Sequence, residues 1–231
     1  MSSISLAAAI VALTPSSYWK LANSGTDEMG VTNGTITNAV AANSIVPTDG
    51  GTPNGALTFD GTGDYVTMGD FYDFAGTASW SAHFVMKPSS LASASVQPIS
   101  KSPAWRINLL TAGDLQIVRN EAENATFASG VVVGTTYQVV MTYDGADGRC
   151  YVGGALVGSP LGLSATVVGN ANGFRIGAAA DNGFSEYPGQ LQHVAIWNTV
   201  LSQANVTTLF NAYGATSEAV IVQRRLGRYG R

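Results

Sequence analysis

Charge is scarce in this chain. Only 11% of its 231 residues are charged, where about 25% is usual, so glycine, serine, threonine and asparagine must cover much of the surface. That suits an extracellular protein, or one packed in an assembly, better than a cytosolic enzyme. Cysteine is scarcer still. Cys150 stands alone, which excludes an intrachain disulfide and any multi-cysteine metal site. It lies in an apolar, strand-like run and reads as a buried, inert thiol. Histidine is limited to His83 and His193, on separate strand-like segments with no companion pattern. No apolar run is long enough to span a membrane. The opening "MSSISLAAAIVALTPSSYW" has no basic residue ahead of its apolar stretch and no clear cleavage context. It reads as a short helix capped by Ser5 and stopped before Pro15, and the chain as leaderless. The Asn-x-Thr triplets at Asn33, Asn124 and Asn205 then read as chance in an Asn/Thr-rich sequence.

The charge that is present is unevenly placed. Residues 218–231 carry Arg224, Arg225, Arg228 and Arg231 against Glu218, a net +3, which leaves −7 on the rest of a chain totalling −4. An acidic body argues against nucleic-acid binding by the main domain, because phosphate contacts need a basic face. The arginine tail fits docking on an acidic partner surface, and its apolar "AVIV" fits strand addition to another subunit's sheet edge.

Alternation with a period of two dominates what remains. In "WSAHFVMKP", Trp80, Ala82, Phe84 and Met86 share one face and Pro88 ends the run. "TYQVVMTYDG" and "RCYVGGALVG" pair as a hairpin around "DGADG", and "WRINLLTAGDLQIVRN" turns on Ala112-Gly113-Asp114. "GFRIGAAA" and "QLQHVAIWN" supply further strands, and the 60–64 turn closes a hairpin between "ALTF" and "YVTM". A late helix, "LSQANVTTLFNAYG", has Ser202 as N-cap, Val206, Leu209 and Phe210 as its buried stripe, and Gly214 beyond its end. It is expected to cover one open end of an antiparallel sandwich. The chain divides into an N-terminal helical segment (1–14), one sandwich domain (15–214) and a basic extension (215–231).

Four segments, in order, resemble the laminin-G-like branch of the concanavalin A-like lectin/glucanase superfamily. They are "PSSYWKLANSGT", "GALTFDGTGDYVTMGD", "TYQVVMTYDGADGRCYVGGALVGS" and "YPGQLQHVAIWNTVLSQANVTTLFNAYG". The resemblance implies an all-β, concanavalin A-like jelly-roll sandwich of two antiparallel sheets, with short N-terminal and C-terminal helices. It also places Trp19, Trp80 and Trp197 on core positions. Glycan-cleaving members carry paired carboxylates on one strand, where a nucleophile and an acid/base must lie about 5 Å apart for retention. The nearest match here, Glu121 and Glu123 in "NEAEN", lacks the intervening acid and an aromatic platform, and reads as a solvated turn. No Gly-x-Ser-x-Gly elbow or phosphate loop is present, so no catalytic residue is expected and the protein reads as not an enzyme.

Calcium and sugar remain. Ca²⁺ takes 6–8 oxygens, and "DGTGD" has the look of a calcium loop. As an EF-hand it fails, with Tyr65 at position six and Phe71 at position twelve. The resemblance implies a structural Ca²⁺ held by an acid in the closing strand, but Gln192 and His193 occupy the matching positions. The expectation is no cofactor, with Asp27, Asp60 and Asp64 as the ligands of any Ca²⁺ that does bind. For a glycan, Trp105 with Arg106 and Asn108 is the candidate cluster, set against Trp105 as a core residue. These features assemble into a non-enzymatic structural protein of a virus particle, a bacteriophage capsid decoration or tail-surface subunit. It would sit on the virion surface as a homo-oligomer, docked on other virion proteins through its N-terminal segment and basic tail. The alternative is a secreted or cell-surface lectin-like module that binds a glycan. In either reading a host glycan is a candidate partner, whereas nucleic acid, for the main domain, and membrane are not.

Overall fold

A computed structural model describes residues 4–91, 95–180 and 185–214. The chain starts with helix α1 (Leu6–Ala12), then strands β1 (Ser17–Trp19), β2 (Thr35–Thr37), β3 (Val40–Ala42), β4 (Ala56–Asp60) and β5 (Tyr65–Thr67). The long strand β6 (Trp80–Pro88) is followed by β7 (Ser95–Lys101), β8 (Trp105–Leu110), β9 (Leu115–Arg119) and β10 (Glu123–Phe127). Next come β11 (Tyr137–Tyr143) and β12 (Asp147–Val152), then the short β13 (Ala155–Leu156), β14 (Leu161–Gly162) and β15 (Arg175–Ile176). β16 (Pro188–Trp197) and helix α2 (Gln203–Tyr213) complete the described chain.

Two antiparallel sheets form. One runs β13-β12-β11-β6-β16-β4-β3, with β1 also on β16 and β14 also on β12; the other runs β10-β9-β8-β7-β15-β5-β2. Alternation puts Trp80, Ala82, Phe84 and Met86 of β6 against Ile99, Ile107, Leu115 and Ile117 of the second sheet in one large core. The opposite face of the first sheet is not left to water. Val85, Val140, Ala195 and Trp197 pack there against Leu6, Ala9 and Ile10 of α1 and Val206 and Leu209 of α2. The result is three layers, sheet, sheet and helices. The central strands β6, β11 and β16 of the first sheet are accordingly buried on both faces along most of their length.

The helices follow their caps. Ser5 Oγ accepts from the Ala8 amide at 3.2 Å. Ser202 and Asn205 form a reciprocal capping box, and Gly214 closes α2 in the left-handed region at φ 75°. Two expectations are corrected here. α2 lies on the outer face of the first sheet, where its Val206–Leu209 stripe finds apolar partners, and not over an open end. The 60–64 turn is not a hairpin either. β4 belongs to the first sheet and β5 to the second, so Leu57 and Phe59 meet Val66 and Met68 across the core. α1 lays Leu6, Ala9 and Ile10 on its own sandwich.

Two of the buried titratable side chains, His83 and Arg119, are tied to backbone carbonyls. Burial pushes the His83 imidazole down to about 3. Its neutral ring bonds the His193 carbonyl through Nδ1 at 2.8 Å and accepts at Nε2 from the Gln138 side-chain Nε2 at 3.2 Å, which makes it a satisfied core residue. Burial raises the Cys150 thiol, as an inert cysteine requires. Arg119 points inward, its guanidinium 3.8 Å from the Tyr143 ring centroid and donating to the Gly76 carbonyl at 2.8 Å.

Candidate functional site

The run "GDFYDFAG", residues 69–76, links β5 to β6 and alternates like neither. It carries three aromatic rings in four residues, and two of them, Tyr72 and Phe74, sit at φ 64° and 47°. Bulky side chains rarely adopt that backbone, and it persists only where surroundings enforce it. The enforcement is visible. Tyr72 bonds the Ser17 hydroxyl through its own and accepts from Trp105 Nε1 at its carbonyl, 2.6 Å away. Its ring meets Phe174 edge-on at 5.4 Å, and Phe74 stacks on Trp80 at 6.0 Å.

This loop forms one wall of a cleft of about 640 Å³. Ser16, Val31, Ala78, Ser79 and Asn198 complete the lining. Phe71 stands at the rim, 38% exposed. Burial raises the Tyr72 phenol above its usual value, so the ring faces the cleft as a neutral group. The chemistry on offer is a pair of aromatic surfaces flanked by one carboxylate (Asp73), an amide (Asn198) and two hydroxyls (Ser16, Ser79). Apolar walls with a few placed polar groups are the usual make-up of a ligand site.

The residues singled out from sequence fall elsewhere. Trp105 is 0% exposed, stacked on Trp80 at 4.6 Å, so its faces are closed to a sugar; this corrects its role as a platform. Arg106 is on the opposite face of β8, ion-paired with Glu121 and donating to the Ser102 hydroxyl at 3.2 Å. Asn108 is 4% exposed and donates to Gln116 Oε1 at 2.9 Å. The three do not converge. Glu121 and Glu123 also diverge: Glu123 accepts from Ser164 Oγ and the Ala165 amide, which hold its carboxyl below the usual range.

The suggested calcium ligands do not fit a metal. Asp27 lies beside β1, and both its oxygens accept backbone amides: Tyr18 and Met29 on Oδ1, Val31 and Thr32 on Oδ2, at 2.8–3.1 Å. Asp60 and Asp64 close their own turn, Asp64 Oδ2 accepting from the Asp60 amide and Asp60 Oδ1 from the Thr62 amide, each at 2.7 Å. Among the described residues no group of three acids or histidines comes together. In the closing strand, Gln192 Oε1 accepts from the Ile45 amide at 2.8 Å and His193 Nδ1 bonds the Tyr18 hydroxyl at 2.5 Å. These positions are occupied by hydrogen bonds of the fold itself. Arg224, Arg225, Arg228 and Arg231, the expected docking residues, lie outside the described residues.

A family profile described as the concanavalin A-like lectin/glucanases superfamily matches residues 60–207. The chain belongs to that superfamily. The match takes in the cleft loop and β6 to β16, while α1 and β1 to β3 lie before it. Among solved structures, domain 4 of AbnA, an extracellular GH43 arabinanase from Geobacillus stearothermophilus determined in complex with arabinotriose, superposes with a TM-score of 0.66. The two are 17% identical, and the alignment covers 84% of this chain and 97% of that domain. A Trypanosoma rangeli sialidase variant with trans-sialidase activity gives 0.63 at 16% identity, over 90% of this chain but 35% of that one. A candidate carbohydrate-binding protein from Bacteroides ovatus gives 0.54 at 16% identity, over 66% of this chain and 46% of that one. At these identities the superfamily fold is what is shared. No curated protein matches the sequence.

Proposed function

We propose that this superfamily member is a non-catalytic glycan-recognition module that holds a short, neutral oligosaccharide in the cleft beside Phe71 and Tyr72. The cleft carries the reading: an exposed aromatic rim, a neutral tyrosine and a few hydrogen-bonding groups, set in a lectin-type sandwich. Its volume suits a di- or trisaccharide, within the roughly 300–1,000 Å³ of small-molecule sites. The lining includes Asp73 and neither lysine nor arginine, so an acidic sugar would bring its carboxylate against another with no exposed cation to answer it. Hydrolysis needs one carboxyl to hold a proton and a second to attack or to activate water. The two carboxylates at the loop, Asp70 and Asp73, instead both engage the Lys101 ammonium. The fold family and the carbohydrate-related neighbours support this reading over a virion-surface role, whose proposed tail anchor lies outside the described residues.

Calorimetric titration with arabinotriose and with sialyllactose tests it, after a glycan array to rank neutral ligands. Neutral oligosaccharides are expected to bind and sialyllactose not. Phe71→Ala should weaken binding about tenfold, the size of one lost aromatic stack, and leave the unfolding midpoint unchanged because the ring is at the rim. Absence of neutral-glycan binding, or a Phe71→Ala affinity equal to that of the native protein, would overturn the proposal.

A further inference from the structure

Lys101, the last residue of β7, is 0% exposed, and its ammonium sits in a cage of oxygens. Asp70 Oδ1 lies at 2.5 Å, the Asn170 carbonyl at 3.1 Å, and the Asn172 carbonyl also accepts from Nζ. An ammonium has three protons, and these three oxygens take them. Asp73 Oδ1, at 3.4 Å, adds a second negative charge without needing a proton of its own, and it accepts instead from the Asn170 amide at 3.0 Å. Two loops, 69–76 and 168–173, are thereby gathered on one buried cation. Asn172 Nδ2 ties the second loop back to the Ser102 carbonyl at 2.9 Å, and a side chain at Gly169 would come within 2.9 Å of Asp73 Oδ2. Carboxylates mixed with backbone carbonyls are the donor set that a loop ordinarily offers a hard metal ion. Here a lysine grown from the sheet supplies the charge.

We propose that Lys101 is a positioning residue for the cleft: its ammonium is the internal cation that orders the 69–76 loop, so that this order needs no divalent metal. The physical reason is the cost of burial. A buried ammonium must be paired, and among the described residues Lys101 is paired by Asp70, Asp73 and the Asn170 and Asn172 carbonyls, which it holds in place. The same closure presses Tyr72 and Phe74 into their left-handed backbone and sets Phe71 at the rim. That the ordered loop serves a sugar rests on the reading above; that Lys101 orders it does not.

Hydrogen–deuterium exchange read on segments 69–76 and 168–173 tests this without any sugar, so its failure is separate from failure of the glycan reading. In the native protein, protection of both segments should be the same in EDTA and in CaCl₂. Lys101→Met, which keeps the stem and loses the charge, should speed exchange there on the order of a hundredfold, as loss of one partner of a buried pair implies. β6, β11 and β16 should keep their protection. Added ethylammonium should restore part of the protection in Lys101→Ala, which leaves room for it, and none in Lys101→Met. Should both lysine variants fail to fold, Asp70→Asn, at a half-exposed side chain, is expected to loosen the same two segments. Protection retained in Lys101→Met or in Asp70→Asn would reduce Lys101 to a packing role, and loosening of the native loop by EDTA would assign the order to a metal; either overturns the proposal.

Discussion

Trp105→Ala is expected to lower the stability of the folded chain by about 3–5 kcal/mol, the cost of emptying a large aromatic site in a packed core. The ring is the hub where the two sheets meet: Trp80 stacks on it at 4.6 Å, with Phe74 at 5.5 Å and Phe174 at 6.0 Å. Its indole N–H also serves the Tyr72 carbonyl at 2.6 Å, and leaving that carbonyl without a partner adds about 1–3 kcal/mol if water does not reach it. For a domain of this size a loss of about 3–5 kcal/mol should appear as a fall in Tm of about 6–20 °C. Sugar binding should weaken too, because Tyr72 and Phe74 lose the surface they rest on. Urea unfolding separates this from a direct contact. A rim platform such as Phe71 loses affinity and keeps stability, whereas Trp105→Ala loses both, and Trp105→Phe recovers most of the stability by refilling the space. A Trp105→Ala protein as stable as the native one would contradict the core assignment and return Trp105 to the surface.

The same residue shows how far sequence carries. Trp105 and Arg106 are neighbours in a strand, and a period of two sends neighbours to opposite faces, so spacing alone already separates them as parts of one sugar site. The strands with clear alternation, β6, β8, β9, β11 and β12, and the capped helices α1 and α2 were legible because their signals are local. The partner of a strand is not local. β4 and β5 alternate alike around a glycine-rich turn, and nothing within those residues tells a hairpin from a corner where the chain passes from one sheet to the other. The cleft loop was missed because "DFYDF" has neither strand nor helix period. Its cluster of rings and acids between two strand patterns was the available signal. Lys101 gave none, since its meaning depends on carbonyls about seventy residues away. The outward placement of α2 on a sheet face likewise depends on β16 and β11, which meet it only in the folded chain.

Asp27→Ala is expected to cost about 2–6 kcal/mol, and the reason also explains why Asp27 does not serve a metal. Its carboxylate, 3% exposed, is the acceptor around which residues 27–32 wrap. The Tyr18 and Thr32 amides that it accepts, at 2.8 and 2.9 Å, are themselves buried, and each loses about 1–3 kcal/mol when stranded. The Met29 and Val31 amides are better placed to find water. Asp27→Asn keeps an acceptor for one pair of amides but turns an NH₂ toward the other, donor facing donor, so it too should be destabilised. The pair of variants isolates a pH effect. Burial pushes the Asp27 carboxyl up, but the amides of Tyr18, Thr32 and Met29 and the Ser17 hydroxyl outweigh it and hold the group below its usual 3.8. A carboxyl depressed in the folded state stabilises it fully above the unfolded value, and that contribution is lost as pH falls through the folded value. The gap in urea midpoint between the native chain and Asp27→Asn should therefore be constant from neutral pH down to about 4. Below that it should narrow, because only the native carboxylate is being protonated at this position while Asp49, Glu123 and Asp144, also depressed, titrate in both proteins. Calcium should leave both midpoints where they are, since every strong acceptor direction at Asp27 is already turned to an amide. A gap that stays constant to the lowest pH at which the native chain remains folded would mean the amides are held by something other than the charge.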